Sequence, residues 1–282
     1  MHFPSGDGQC AAWLWRPDST PAACVVLGHG FSATKEARLD AYGDRFAAAG
    51  YAALAFDYRH FGGSSGQPRE LLDISLQLED WRAAVAFARQ IEGVDPERVV
   101  LWGTSFAGGH VLETAADDPR IAAVVSQVPH VDGRAAMGAM KPWIAAGAVA
   151  VGWADRLKAK LGGAPIYVPR KGGDTREGLG RLYPEGVAHR NQVSARVFSR
   201  LPRYSPGKRT PEILCPLLVQ VAEHDTITPP GPARQAAGRA PRGESRAYPA
   251  THFDIYLGDC FERAVSDQLA FLDRAAISPR LD

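Results

Sequence analysis

Short, mostly apolar runs recur along this chain, separated by segments with helical periodicity, and that alternation constrains its fold more than any other feature. The runs are Ala23 to Leu27, Ala52 to Phe56, Val99 to Trp102, Ala122 to Val125 and Leu217 to Val221. They have the length of strands and lack a polar face, as strands covered on both sides do. Between them, Ile74, Leu78, Trp81, Val85 and Ala88 form one stripe at helical spacing within residues 73–91. Leu39, Tyr42 and Phe46 form a second within 38–49, with Gly50 where a left-handed helix cap belongs. Phe261, Val265, Leu269 and Leu272 form a third, opened by Asp259 and Glu262 as a capping box. Strands alternating with helices imply a mostly parallel sheet covered on both faces. The segment Gln9 to Trp15 is expected to add an antiparallel edge strand.

The alternation stops between Val131 and Pro211, where glycines and prolines interrupt short helical patterns and no convincing strand is found. So long an interruption predicts an insertion, with residues 1–130 and 212–282 forming the core and 131–211 a helical lid. The chain has 282 residues and a net charge of +1, so no global field gathers nucleic acid. Charge is local instead. From Arg156 to Arg209 there are thirteen Lys and Arg against three acids, a balance of +10 that leaves −9 for the remainder. The amino terminus lacks the basic start and apolar stretch of a secretory signal, so a cytoplasmic location is expected. The longest apolar stretch, Trp143 to Ala154, is shorter than the roughly 20 residues that cross a bilayer. Cys10, Cys24, Cys215 and Cys260 are scattered without a C-x-x-C pair, which predicts buried, reduced thiols and no metal site.

Chemistry concentrates in Val99-Val100-Leu101-Trp102-Gly103-Thr104-Ser105-Phe106-Ala107-Gly108-Gly109, an apolar strand running into Gly-x-Ser-x-Ala-Gly and then a helical segment. A serine at such a turn projects its hydroxyl above the sheet, and small residues at Gly103 and Ala107 let strand and helix approach. The helix that follows adds its positive end, which favours negative charge developing on a substrate oxygen.

With this elbow and its element order, the chain resembles the α/β-hydrolase superfamily over nearly its whole length. Ala107 departs from the glycine that commonly ends the elbow. A serine hydroxyl is a weak nucleophile and needs a base, which in turn needs an orienting carboxylate. The resemblance implies the order Ser, acid, His, with the acid after the strand that follows the lid. Asp225, in Ala222-Glu223-His224-Asp225-Thr226, matches that position, and Glu223 is the reserve. The histidines after Ser105 are His110, His130, His189, His224 and His252, and His252 alone follows Asp225, in the loop before the last helix. One oxyanion donor is then the backbone N–H of Phe106. The second, from the loop after an early strand, is that of Phe31 in Leu27-Gly28-His29-Gly30-Phe31, with His29 structural.

The resemblance also matches Asp57-Tyr58-Arg59-His60-Phe61-Gly62-Gly63-Ser64 to a scaffolding loop in which Asp57 and Arg59 can pair. It implies hydrolysis of a carboxylic ester or thioester through an acyl-enzyme on Ser105, without cofactor. Acyl transfer with the same triad is the alternative, and the motifs look most like dienelactone-hydrolase and X-Pro-peptidase branches, which keeps lactone and peptide cleavage open. A small-molecule receptor on the same fold is the non-enzymatic reading, against which the complete set Ser105, Asp225 and His252 argues. Trp143, Trp153, Tyr167, Tyr183 and Phe198 could form an apolar ceiling, although packing against neighbours is the commoner role. The basic lid suggests an anionic acyl substrate or a thioester of coenzyme A or a carrier protein. A solvated basic face is the preferred reading, because summed charge does not say which side chains face the cleft.

Overall fold

The computed structural model describes residues 1–17, 20–169, 173–187, 190–275 and 277. His189, named above, lies outside them, as do Arg170 and Lys171 of the basic stretch. Strands β1 (His2–Ser5), β2 (Gly8–Trp15) and β3 (Ala22–Gly28) lead into helix α1 (Leu39–Ala48), β4 (Ala52–Phe56), α2 (Ile74–Ala88), β5 (Val94–Thr104), α3 (Phe106–Asp117) and β6 (Ala123–Gln127). The inserted region holds α4 (Gly133–Gly138), α5 (Pro142–Lys160), β7 (Tyr167–Pro169), α6 (Gly173–Gly180), β8 (Gln192–Ser194) and three 3-10 turns between Ala195 and Glu212. The chain then re-enters the sheet with β9 (Leu217–Ala222), α7 (Pro230–Arg239), β10 (Gly243–Tyr248) and α8 (Gly258–Arg274).

The eight-stranded sheet has the order β1-β2-β4-β3-β5-β6-β9-β10. Its first two pairings are antiparallel and all others parallel. Alternation along each strand divides the apolar residues between two cores. Cys24, Val26, Val99, Leu101, Leu217 and Val219 point to the face packed by Trp81 and Val85 of α2, Val111 of α3 and Ala233 of α7. Val25, Leu27, Val100, Trp102 and Leu218 point to the face packed by Leu39, Tyr42 and Phe46 of α1 and by Phe261 and Val265 of α8. An apolar strand without a polar face is thereby satisfied on both sides.

All five apolar runs are strands and all three stripes are helices. Gly50 takes φ 86, the left-handed conformation expected after α1. Four expectations are corrected. The segment Gln9 to Trp15 is not the edge, because β1 pairs outside it; four residues are too few to show a period. The Asp259–Glu262 capping box does not form. Gly258, at φ 53, starts α8 before Asp259, no side chain caps it, and Glu262 pairs with Arg45. The insertion is not free of strands, since β7 and β8 pair antiparallel over three residues each. Finally, Cys10 and Cys24 are buried as expected, whereas Cys215 and Cys260 are half-buried.

Within the insertion, Asp155 of α5 is the main tie. Its carboxylate accepts the backbone N–H of Ile166 at 2.7 Å, the N–H of Arg196 at 2.9 Å and the Arg196 guanidinium Nε at 2.9 Å.

Candidate active site

Parallel strands end at one edge of a sheet, so the loops that follow β3, β5, β9 and β10 gather there. Ser105 follows β5, Asp225 follows β9, His252 follows β10 and Phe31 follows β3. The Glu223 N–H donates to the Tyr248 carbonyl at 2.9 Å and the His224 N–H to that of Ala250 at 3.0 Å, which ties the Asp225 and His252 loops together.

Ser105 occupies the turn from β5 into α3 with φ 55 and ψ −114. Such a conformation is costly for a residue with a side chain and persists only where the surroundings enforce it. Here they do: the Ser105 N–H donates to the Gln127 carbonyl at 2.9 Å, and the His130 N–H donates to the Ser105 carbonyl at 2.8 Å. A Cβ at Gly103 would stand 2.3 Å from the Ala107 carbonyl oxygen, and one at Gly109 2.3 Å from that of His130. Small residues are therefore required on both sides of the turn, and Ala107 fits, fully buried.

The structure brings Ser105, Asp225 and His252 into one chain of hydrogen bonds. His252 Nε2 lies 3.1 Å from Ser105 Oγ, and His252 Nδ1 lies 2.7 Å from Asp225 Oδ2. Asp225 Oδ1 accepts the N–H groups of Ile227 and Thr228 at 2.8 Å each, and the Thr228 hydroxyl donates to Oδ2 at 2.7 Å. Burial pushes this carboxyl up, but His252 and these hydrogen bonds outweigh it and hold it below the usual carboxylate range. Glu223 is exposed and pairs with Arg234 instead.

Of the other described histidines after Ser105, His224 is exposed. His110 is enclosed between the Tyr204 hydroxyl at 2.6 Å and Gln77 Oε1 at 2.9 Å, and burial pulls it down to about 3. His130 borders the cavity, and burial lowers it to about 4. Both are neutral near pH 7.

Phe106 is the first residue of α3, so its N–H has no acceptor within the helix. The Phe31 loop touches the serine, since a Cβ at Gly30 would stand 3.0 Å from Ser105 Cβ. That loop is anchored by Asp57, which accepts the Lys35 N–H and ammonium, each at 2.7 Å. Burial opposes the Lys35 charge, yet Asp57 and Glu36 hold its pKa above the ordinary value. The expected Asp57–Arg59 pair is absent. After β4 the chain turns, so Asp57 faces the Phe31 loop while Arg59 reaches Asp80 at 2.6 Å and Glu79 of α2. Gly62, at φ 48, leaves room for the Asp57 carboxylate, from which a Cβ would be 2.2 Å away. His29 is buried at the edge of the cavity, with Nδ1 3.0 Å from the Gly30 carbonyl and its ring edge-on to Tyr58.

A cavity of about 620 Å³ opens on Ser105 and His252. The core contributes Phe31, Phe106 and Tyr256 to its walls and the insertion Met137, Ile144, Val151, Leu179, Phe198 and Leu201, and no Lys or Arg lines it among the described residues. Three of the basic side chains are engaged elsewhere: Arg196 with Asp155, Arg200 with Asp73 and Arg209 with Glu113 and Asp117. Of the five aromatic residues considered for the ceiling, Phe198 lines the cavity. Tyr167 donates to the Arg69 carbonyl, Tyr183 accepts the Thr34 N–H, and Trp143 and Trp153 face solvent. Sequence reasoning missed Thr228, although Asp-x-x-Thr in a loop is a recognisable turn pattern. Apart from Phe198, it also missed the cavity walls, which carry no motif. Among the described residues no group of His, Cys, Asp and Glu could hold a metal ion.

The sequence model of the family described as serine aminopeptidase, S33, matches residues 19–252. The quorum-quenching protein AidA of Acinetobacter baumannii is 43% identical, with 97% of this chain and 94% of that protein covered. The polyketide transferase ATR5 of Stachybotrys chlorohalonatus is 29% identical, over 97% and 96%. The crystal structure of the α/β hydrolase GrgF from Penicillium sp. sh18 superposes with a TM-score of 0.85 at 23% identity, covering 98% of this chain and 97% of that one. The chain belongs to the serine aminopeptidase S33 family, and it is an α/β-hydrolase enzyme of the serine-hydrolase type.

Proposed function

We propose that Ser105 is the nucleophile, His252 the base and Asp225 the orienting carboxylate in cleavage of an ester or thioester whose acyl group is apolar. The relay from Asp225 through His252 to a serine held at positive φ above an apolar cavity carries this reading. His252 Nε2 takes the Ser105 proton as the hydroxyl attacks the carbonyl carbon, and its Nδ1–H remains hydrogen-bonded to Asp225. The N–H groups of Phe106 and Phe31 receive the oxyanion, a term worth roughly 10²- to 10³-fold per donor. As the bond breaks, His252 returns the proton to the leaving group. Water, activated by His252, then attacks the acyl-enzyme, and the acid is released with Ser105 restored.

The insertion acts in this reading as the lid, since α4, α5, α6 and the turn at Phe198 supply the walls around the acyl chain. The apolar lining favours a neutral acyl chain over an anionic one. An anionic carrier, coenzyme A or a protein, stays outside it. The name of the A. baumannii relative, a quorum-quenching protein, supports adding quorum-sensing signals to a first substrate panel of esters, thioesters and lactones. Transfer to a small acceptor in place of water is the second reading, supported by the name of the polyketide transferase relative.

Labelling with a fluorophosphonate and turnover of a generic aryl ester test the assignment. Ser105→Ala is expected to abolish labelling and to lower kcat/KM by about 10⁴-fold or more. Unchanged turnover in that variant would overturn it. Partition of the acyl group between water and an added alcohol separates hydrolysis from transfer.

A further inference from the structure

From Pro142 to Ala154 helix α5 contains no polar side chain. A helix apolar all round belongs in a core, yet Gly152 and Asp155 are its only buried residues. One side closes on the turn Ala195–Ser199, where a Cβ at Gly152 would stand 2.6 Å from the Ser199 nitrogen. The opposite side meets solvent. Trp143 is 69% exposed, Trp153 52%, Leu157 62% and Leu161, just past the helix, 79%. At 100° per residue these four fall within about a quarter of the circumference. They form an apolar band about 27 Å long.

The ends of the band are cationic. Lys141 precedes the helix, its ammonium 5.5 Å from the Trp143 ring centre, and Arg156, Lys158 and Lys160 occupy the last turns. The single acid of α5, Asp155, is buried against Arg196. Tryptophans on one face with lysines at the margins match the chemistry of a helix lying in a lipid headgroup layer. No described helix is long and apolar enough to cross a membrane, so α5 would lie on the bilayer rather than span it.

We propose that the exposed face of α5 docks on an anionic lipid bilayer, with Trp143, Trp153 and Leu157 inserted and Lys141, Lys158 and Lys160 against the headgroups. A second copy of the chain fits the same face less well. A two-fold contact through α5 would set its cations against those of the partner, with no exposed acid on the helix to offset them. Docking there also brings the cavity to the lipid surface, because Ile144, Gly147 and Val151 of the same helix line it.

Flotation with vesicles of phosphatidylcholine, alone or mixed with phosphatidylserine, tests this independently of catalysis. Wild-type protein is expected to float with the mixed vesicles and to be released by salt. The variant Trp143→Ser/Trp153→Ser/Leu157→Ser should bind at least about tenfold more weakly. Lys158→Gln/Lys160→Gln should lose roughly tenfold on the anionic vesicles alone. Both variants should turn over a short, water-soluble ester as the wild type does, which shows that they are folded. Three results would overturn the proposal: no flotation of the wild type with either vesicle, equal flotation with both, or undiminished flotation of the serine variant. A wild-type dimer that the serine variant converts to a monomer, without vesicle binding, would overturn it in favour of a second copy.

Discussion

Asp225 and Asp155 are buried carboxylates in two regions of the molecule, and both accept two backbone N–H groups and a cationic or cation-forming side chain. In each, burial raises the pKa and the partners overcome it, leaving the carboxyl below its ordinary range. The difference lies in what is tied. Asp225 takes its backbone donors from Ile227 and Thr228 in its own loop, so the loop is set locally and the other oxygen, which also accepts the Thr228 hydroxyl, meets His252 Nδ1. Asp155 takes its donors from Ile166 and Arg196, so it closes long stretches of the insertion onto α5. In the proposed function, similar electrostatics thus serve a reaction in the core and a shape in the insertion.

Substitution should separate the two roles. Asp225→Asn leaves His252 without its orienting carboxylate and is expected to lower kcat by roughly 10³- to 10⁴-fold, with KM little changed. Asp155→Asn strands part of a buried pair and should cost about 2–3 kcal/mol, localised to the insertion. It should appear as faster proteolysis and amide exchange between residues 142 and 212, and as a raised KM for apolar acyl substrates with kcat largely kept. A fall in kcat from Asp155→Asn as deep as that from Asp225→Asn would break the comparison.

The smallest effect is on pH dependence. Both carboxyls have folded pKa values below the unfolded value of about 3.9. Their contribution to stability is therefore full above that value and is lost as pH falls through the folded one. Thermal melts should show the stability gap between wild type and either variant narrowing as pH drops below about 4. A gap that widens with acid would show that the carboxylates are not stabilised by their partners.

The central strands and the helices that cover them were legible because a residue buried in a regular element repeats with that element's period. The short strands β1, β7 and β8 were not, since three or four residues show no period. Asp57 and Arg59 illustrate the limit at side-chain level. Both were recognised as scaffolding, but neighbouring residues on a turn point in different directions, and each found a partner elsewhere. The charge of the insertion was legible as a sum, whereas its direction was not, and no described cation lines the cavity.

The sequence by itself determined the alternation of elements, the strand-to-helix turn at Ser105 and the residue types able to serve it, because these depend on local periodicity and on the steric demands of a tight turn. Tertiary structure alone decided that Ser105, Asp225 and His252 meet within hydrogen-bond reach. That contact depends on β5, β6, β9 and β10 lying side by side with their ends at one edge. Tertiary structure also decided which side of α5 is covered. A helix apolar all round carries no periodic signal to orient it, so only the packing of the rest of the chain leaves Trp143, Trp153 and Leu157 in solvent.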